Sequence, residues 1–250
     1  MTGWTWAAAR RRGTSHVKSR TPCQDAHRVV SSRAGDTLIA VVSDGAGSAA
    51  HGGAGAFIAA RTMAAAAVEY TAQSLNLPGE EHFWSWLDDA LSRIEVAAVK
   101  RSAQPRDFAA TLVMAIANET GAVLALVGDG VAGVRSGADW SVPSWPQHGE
   151  YASTTYFVTD EPAARLRIIQ LDRRPDALVL MSDGLERLAL DFAGQRPHPP
   201  FFNAIVAPVE RSSVAGHDGR LSRSLATYID SDAVNARTDD DKSLVIAVAR

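Results

Sequence analysis

Three separate apolar runs in this chain end in Asp-Gly: LIAVVSDG closing on Asp44, LALVGDG on Asp129 and LVLMSDG on Asp183. An apolar run of five or six residues bounded by glycine is the mark of a buried strand, so the pattern predicts three aspartates at strand ends. A further acidic group, Asp239-Asp240-Asp241, stands just before the run SLVIAV. One Asp-Gly alone is ordinary turn chemistry, because glycine supplies positive φ and aspartate bonds its own backbone. Three copies with the same lead-in, plus an acidic triplet against another strand, ask for more. Carboxylates gathered at one sheet edge repel each other and lose solvation, and a divalent cation bound through oxygen offsets both. The pattern therefore predicts a shared metal site.

At 250 residues, 46% hydrophobic and 21% charged, the chain is long enough to bury a full core as one domain over 1–250, and no linker forces two. A net charge of -3 offers no footprint for nucleic acid or for an anionic membrane. No apolar stretch approaches the roughly 18 residues of a membrane span. Arg10-Arg11-Arg12 suggests a twin-arginine export signal, but the polar GTSHVKSRTPCQD follows where an apolar segment is required. A single cysteine, Cys23, excludes an internal disulfide framework. A monomer in the cytoplasm is the expectation.

Along the chain a polar entry leads to a strand over 37–43, then to a long Ala- and Gly-rich helix starting near Ser48. A second helix, EEHFWSWLDDALSRIEVAAVKR, places Phe83, Leu87, Leu91 and Ile94 at steps of three and four, and should lie antiparallel beside the first. From Phe108 the texture is β: FAATLVMAIA, AVLALVGDG and VAGVR, read as an antiparallel meander. The segment 136–160, with Trp140, Trp145, Glu150 and Tyr151, reads as a surface excursion. LRIIQL and ALVLM follow as strands, FFNAIVAPVER and HDGRLSRSLATYID as helices, and SLVIAVAR as a further strand. Strand runs interleaved with helix pairs indicate an α+β fold.

One more motif completes the set. RTPCQDAH, with Arg20 five residues before Asp25, precedes the first strand, and Asp44-Gly45 follows at about twenty residues. Together with FAATLVMAIA, VGDG, LMSDG and DDKS in that order, it resembles the metal-dependent protein phosphatases, the protein phosphatase type 2C family, in its compact bacterial form. The resemblance covers nearly the whole chain. It implies a four-layer α/β/β/α sandwich with two central antiparallel β-sheets, and hydrolysis of phosphoserine or phosphothreonine by a metal-activated water. Asp44 and the carbonyl of Gly45 would hold two Mn2+ or Mg2+ ions, completed by Asp183 and Asp240, with Asp25 direct or through water. Asp241 is the alternative to Asp240 by one position. Asp129 would help Asp183 hold a third, weaker ion. Arg20 matches the arginine that grips the substrate phosphate, a role suited to a planar, permanently charged fork.

The chemistry agrees independently of the name. Hard oxygen donors with no His or Cys cluster select Mg2+ or Mn2+ over Zn2+. Cys23 lacks the glycine-rich phosphate loop that thiol chemistry needs. Where many members carry Asp-Gly-His-Gly, this chain has Asp44-Gly45-Ala46-Gly47, so the histidine thought to protonate the leaving alcohol is missing. A metal-bound water or His51 is the substitute, although His51 also suits a helix start. Expected partners are a phosphoprotein and the Ser/Thr kinase that opposes the enzyme. Two rival readings stand beside catalysis on phosphoproteins: a pseudophosphatase that recognises them without turnover, and a phosphatase for small phosphorylated metabolites.

Overall fold

The computed structural model describes residues 3–32, 35–146, 155–160 and 164–250. In chain order the elements are β1 (Trp4–Arg11), α1 (Thr14–Ser19), β2 (Ala26–Ser31), β3 (Leu38–Ser43), α2 (Gly52–Gln73) and α3 (Glu80–Lys100). Then come β4 (Leu112–Ala117), β5 (Ala122–Val127), β6 (Val131–Ser136), β7 (Asp139–Ser141), β8 (Arg167–Leu171) and β9 (Ala177–Met181). The remainder is α4 (Glu186–Ala189), β10 (Leu190–Asp191), β11 (Arg196–Pro197), α5 (Pro199–Glu210), β12 (Gly216–His217), α6 (Gly219–Ile229), α7 (Asp232–Asn235) and β13 (Lys242–Ala249).

Two larger sheets form, ordered β2-β3-β4-β5-β8 and β12-β1-β13-β9-β6-β7, and among the described residues only the β1/β12 pair is parallel. Three apolar cores stack through the molecule. One lies between the helix pair α2/α3 and the five-stranded sheet, with Met63, Phe83 and Ile94 from the helices on Met114 and Ile116. A second joins the sheets, with Leu38 and Leu124 facing Leu180 and Val245. A third sets Phe202, Val206 and Ile229 on the outer side of the six-stranded sheet. Three cores make four layers, which is the α/β/β/α sandwich the sequence led us to expect.

The central strands are buried on both faces, which is why β3, β4, β5 and β9 read as unbroken apolar runs rather than as alternating ones. Small residues do the complementary work in α2. A Cβ on Gly55 would stand 1.9 Å from the carbonyl oxygen of Phe108, so only glycine lets this helix lie so close to the chain entering β4. The α2 and α3 helices run antiparallel: Tyr70 near the end of α2 meets His82 near the start of α3, with ring centroids 4.6 Å apart. Their observed limits shift α2 to begin at Gly52 rather than near Ser48, because His51 takes the N-cap position. Phe108 closes a short 3-10 turn instead of opening β4.

The polar entry turned out to hold two strands, β1 and β2, that the sequence reading did not include. The excursion at 136–160 begins with a strand, β7, whose Trp140 stacks on Phe202 at 4.7 Å and donates from Nε1 to Asn203 Oδ1 at 2.7 Å. Trp140 therefore caps the sandwich. Glu150 and Tyr151 lie outside the described residues.

Candidate active site

The sheets bring their strand ends together along one seam, where a cleft of about 550 Å³ opens. Asp44 follows β3 of the five-stranded sheet, and Asp183 follows β9 of the six-stranded one. Asp129 sits in the turn by which the chain crosses from β5 in the first sheet to β6 in the second. Asp240 arrives just before β13. All four line the cleft, together with Gly45, Ala46, Asp160, Glu186 and His16.

Local hydrogen bonding fixes each of them. The carbonyl of Asp44 accepts from the Thr111 amide at 2.8 Å, and its amide donates to Thr111 Oγ1 at 3.1 Å, so the approach to β4 clamps the end of β3. Gly45 has no room for a side chain: a Cβ there would lie 2.2 Å from the backbone of Gly52. Below the wall, Asp25 is 1% exposed, and its Oδ2 accepts from Ser182 Oγ at 2.8 Å. Arg10 Nη1 donates to the Asp25 carbonyl from the other side.

The adjacent acids at the C-terminal strand separate cleanly. Asp240 faces the cleft. Asp241 is fully buried, and its carboxylate ties the N-terminal segment in place by accepting from Gly13 N at 2.6 Å and Gln24 N at 2.5 Å. His16 Nδ1 lies 3.0 Å from Asp241 Oδ1. The structure thus brings Asp25, Asp44, Gly45, Asp129, Asp183 and Asp240 together, and sets Asp241 behind them as an anchor. Arg20 is not brought to the cleft wall. It ends α1 in the left-handed region at φ 60° with its side chain exposed.

Electrostatics mark the same cluster. Burial raises the Asp44 carboxyl well above the usual range, and the charges of Asp25 and Asp183 push it further. Asp183 is raised to about 8, by burial first and then by Asp129 and Asp240. Asp25 is raised to about 6 by burial. Asp240 is also raised, through burial and the neighbouring Asp241, against the lowering influence of His16. Two oxygens, Asp25 Oδ1 and Asp183 Oδ1, are buried without a hydrogen-bond partner.

These observations test whether the residues suit hard divalent cations. All-carboxylate donors, an excess of negative charge and two orphaned oxygens fit. Among the described residues no three such side chains form a ready-made cage; Asp44 instead stands between Asp25 and Asp183, interacting with each.

Sequence reasoning missed His16, Thr111, Ser182, Asp160 and Glu186. Ser182 had a signal, since it belongs to the Ser-Asp-Gly repeat. His51 proves to be the N-cap of α2 with its ring 5.0 Å from Phe108, and is not among the residues lining the cleft. Burial, then Asp25 and Asp241, push the Cys23 thiol up to about 12, which removes its nucleophilic form at neutral pH. An apolar groove of about 270 Å³ between α5 and α6 carries no comparable chemistry.

Two sheets under helix pairs, with carboxylates from both meeting at their seam, define the sandwich class of metal-dependent phosphatases. Residues 12–230 match the family model described as protein phosphatase 2C. The chain is 34% identical to serine/threonine-protein phosphatase 3 of Escherichia coli (strain K12), over 98% of each. It belongs to the protein phosphatase 2C family, which is metal-dependent, and it is a phosphatase. Solved structures share the fold. A bacterial serine phosphatase superposes with a TM-score of 0.65 at 15% identity, covering 97% of this chain and 96% of its own. Stp1 from Staphylococcus aureus gives 0.63 at 15%, over 97% and 94%. PppA of Pseudomonas aeruginosa, described as a key regulatory component of T6SS, gives 0.65 at 17%, with both chains fully covered.

Proposed function

We propose that this chain is a serine/threonine protein phosphatase, one catalytic domain over 1–250 that hydrolyses phosphoserine and phosphothreonine with Mn2+ or Mg2+. The carrying observation is the pair of orphaned oxygens, Asp25 Oδ1 and Asp183 Oδ1, among raised carboxyls at the sheet seam. Asp44, the Gly45 carbonyl, Asp183, Asp240 and Asp25 are the residues that would hold two ions, and Asp129 with Asp183 would hold a third, weaker one. Such ions acidify water and neutralise charge on a phosphoryl group.

The rest is the work of the chain's own groups. Water oxygen bonds to phosphorus, its proton passing to solvent, as the bond to the serine or threonine oxygen breaks, and that oxygen must gain a proton. Ala46 is unable to supply one, and His16 takes its place. Its ring lines the cleft, with Nδ1 3.0 Å from Asp241 Oδ1, and the imidazole there would give the proton. Asp241 itself, spent on the Gly13 and Gln24 amides, would anchor the N-terminal segment rather than ligate. Arg20, exposed at the end of α1, would meet the phosphate only after movement of that helix end. The substrate is a phosphoprotein in the cytoplasm, the opposing partner a Ser/Thr kinase, and the enzyme a monomer. Among the described residues no helix is long and apolar enough to cross a membrane.

The test is phosphate release from a phosphothreonine peptide with Mn2+, then with chelator, for wild type and Asp183→Asn. Turnover that needs Mn2+ and disappears in the variant supports the reading. No turnover while calorimetry still shows Mn2+ binding replaces it with a recognition module, and turnover confined to small phosphate esters replaces it with a metabolite phosphatase.

A further inference from the structure

Away from the acidic cleft, the outer face of α2 carries charge of the opposite sign. Two grooves adjoin there and share Phe57 and Arg61. One, of about 490 Å³, runs between β2 and α2 and is lined by His27, Arg28, Val30 and Val68 besides the shared pair. The other, of about 640 Å³, runs between α2 and α3 past Asp89, Arg93, Val96 and Lys100. Their walls set Arg28, Arg61, Arg93, Lys100 and Arg101 against a single acid, Asp89, in a chain whose net charge is -3. Among the described residues, Arg28, Arg61, Arg93 and Lys100 form no ion pair.

Two further features share this face. Phe57 is 55% exposed and Val96 is 54% exposed, far more than apolar side chains of their size need be. Beside them, β2 is an edge strand, paired only with β3 among the described residues. An unpaired strand edge presents a row of backbone donors and acceptors.

We propose that this face docks an extended acidic segment of a partner protein, laid along the β2 edge in the groove against α2. The strand edge supplies backbone hydrogen bonds, the guanidinium groups of Arg28 and Arg61 pair with carboxylates, and Phe57 anchors an apolar side chain of the segment. The charge complementarity selects the occupant: unpaired cations around an apolar floor suit a peptide that alternates acidic and apolar residues. A single exposed aromatic gives little stacking surface for nucleic-acid bases. The docking face lies outside the cleft, and peptide binding there does not depend on phosphatase chemistry.

The experiment is fluorescence anisotropy, in chelator, with a labelled short peptide alternating Glu with Val and Phe. The same peptide with Lys in place of Glu, and an oligouridylate, serve as controls. The Glu peptide is expected to bind and the Lys peptide not to bind. Arg61→Glu and Phe57→Ser, both at the surface, are each expected to weaken binding at least about tenfold while their melting curves stay cooperative. Equal binding of the Glu and Lys peptides, or variants that bind like wild type, overturns the proposal. Tighter binding of the oligouridylate, lost in Arg61→Glu, overturns it in favour of a nucleic-acid surface.

Discussion

Replacing Asp183 by asparagine should make the metal-free protein more stable while destroying its response to Mn2+. The Asp183 carboxyl ordinarily titrates near 3.8 and is raised to about 8 in the fold, through burial and then the charges of Asp129 and Asp240. The sign follows from proton counting. Between those two values the unfolded chain releases the proton that the native state retains, so native stability is present in full below 3.8 and falls as pH rises through 8. An isolated group with that shift would lose about 5 to 6 kcal/mol over the window. Asp183 opens on the cleft, where solvent screens it, and it shares its titration with Asp44 and Asp25. We therefore expect about 2 to 4 kcal/mol for the single replacement. In a domain of this size that corresponds to a rise in Tm of roughly 5 to 15 °C at pH 8. Differential scanning fluorimetry in chelator reads it directly, and a scan at pH 4 should show the gain vanish. Adding Mn2+ should raise the Tm of wild type and leave the variant unmoved. An asparagine variant that melts at or below wild type in chelator at pH 8 would refute the claim that these carboxylates are held together against their own repulsion.

Three other perturbations probe separate parts of the molecule. His16→Asn should lower kcat on a phosphothreonine peptide by about 10²-fold or more, yet barely affect p-nitrophenyl phosphate, whose leaving group needs no proton; equal losses on both would remove the proton-donor role. Gly184→Ala would put a Cβ 2.0 Å from the carbonyl oxygen of Asp241. Since backbone cannot yield as a side chain does, urea titration should show a loss of about 2 to 3 kcal/mol, and an unchanged midpoint would mean the seam is looser than described. His27 is lowered from 6.5 to about 4 by burial, with Arg10 and His217 adding to it. Its contribution is present above pH 6.5 and is lost as pH falls toward 4, about 3 kcal/mol in full. His27→Gln should flatten that part of the stability curve relative to wild type, and parallel curves would contradict it.

What could be read beforehand depended on whether a segment's environment is written locally. β4, β5 and β9 are covered on both faces, so every residue had to be apolar and the runs stood out. β1 had no such mark. Its WTWAAARR is rich in alanine and arginine, and it is a strand because eight residues pair with β13 far along the chain, from Trp4 opposite Ala249 to Arg11 opposite Lys242. Asp44 and Asp183 were legible because strand and turn signals repeat around them. His16 was not, since a polar segment gives no hint that Asp241 will fold it back by accepting from Gly13 and Gln24. Arg20 was carried by spacing alone. Spacing fixes neither the left-handed backbone at that residue nor the direction of its side chain.

The pairing of β1 with β13 has a consequence for how the molecule is made. The ribosome delivers β1 before the other strands of both sheets, but its antiparallel neighbour, and the Asp240 and Asp241 that lead into it, arrive more than two hundred residues later. Until then Gly13 and Gln24 lack the carboxylate that holds the His16 segment, while the five-stranded sheet with α2 and α3 already has its β2 to β5 strands in hand. A nascent chain thus emerges with half a sandwich and an unfinished centre. The acidic cleft gains Asp240, the latest of its carboxylates in chain order, only when that stretch has been made.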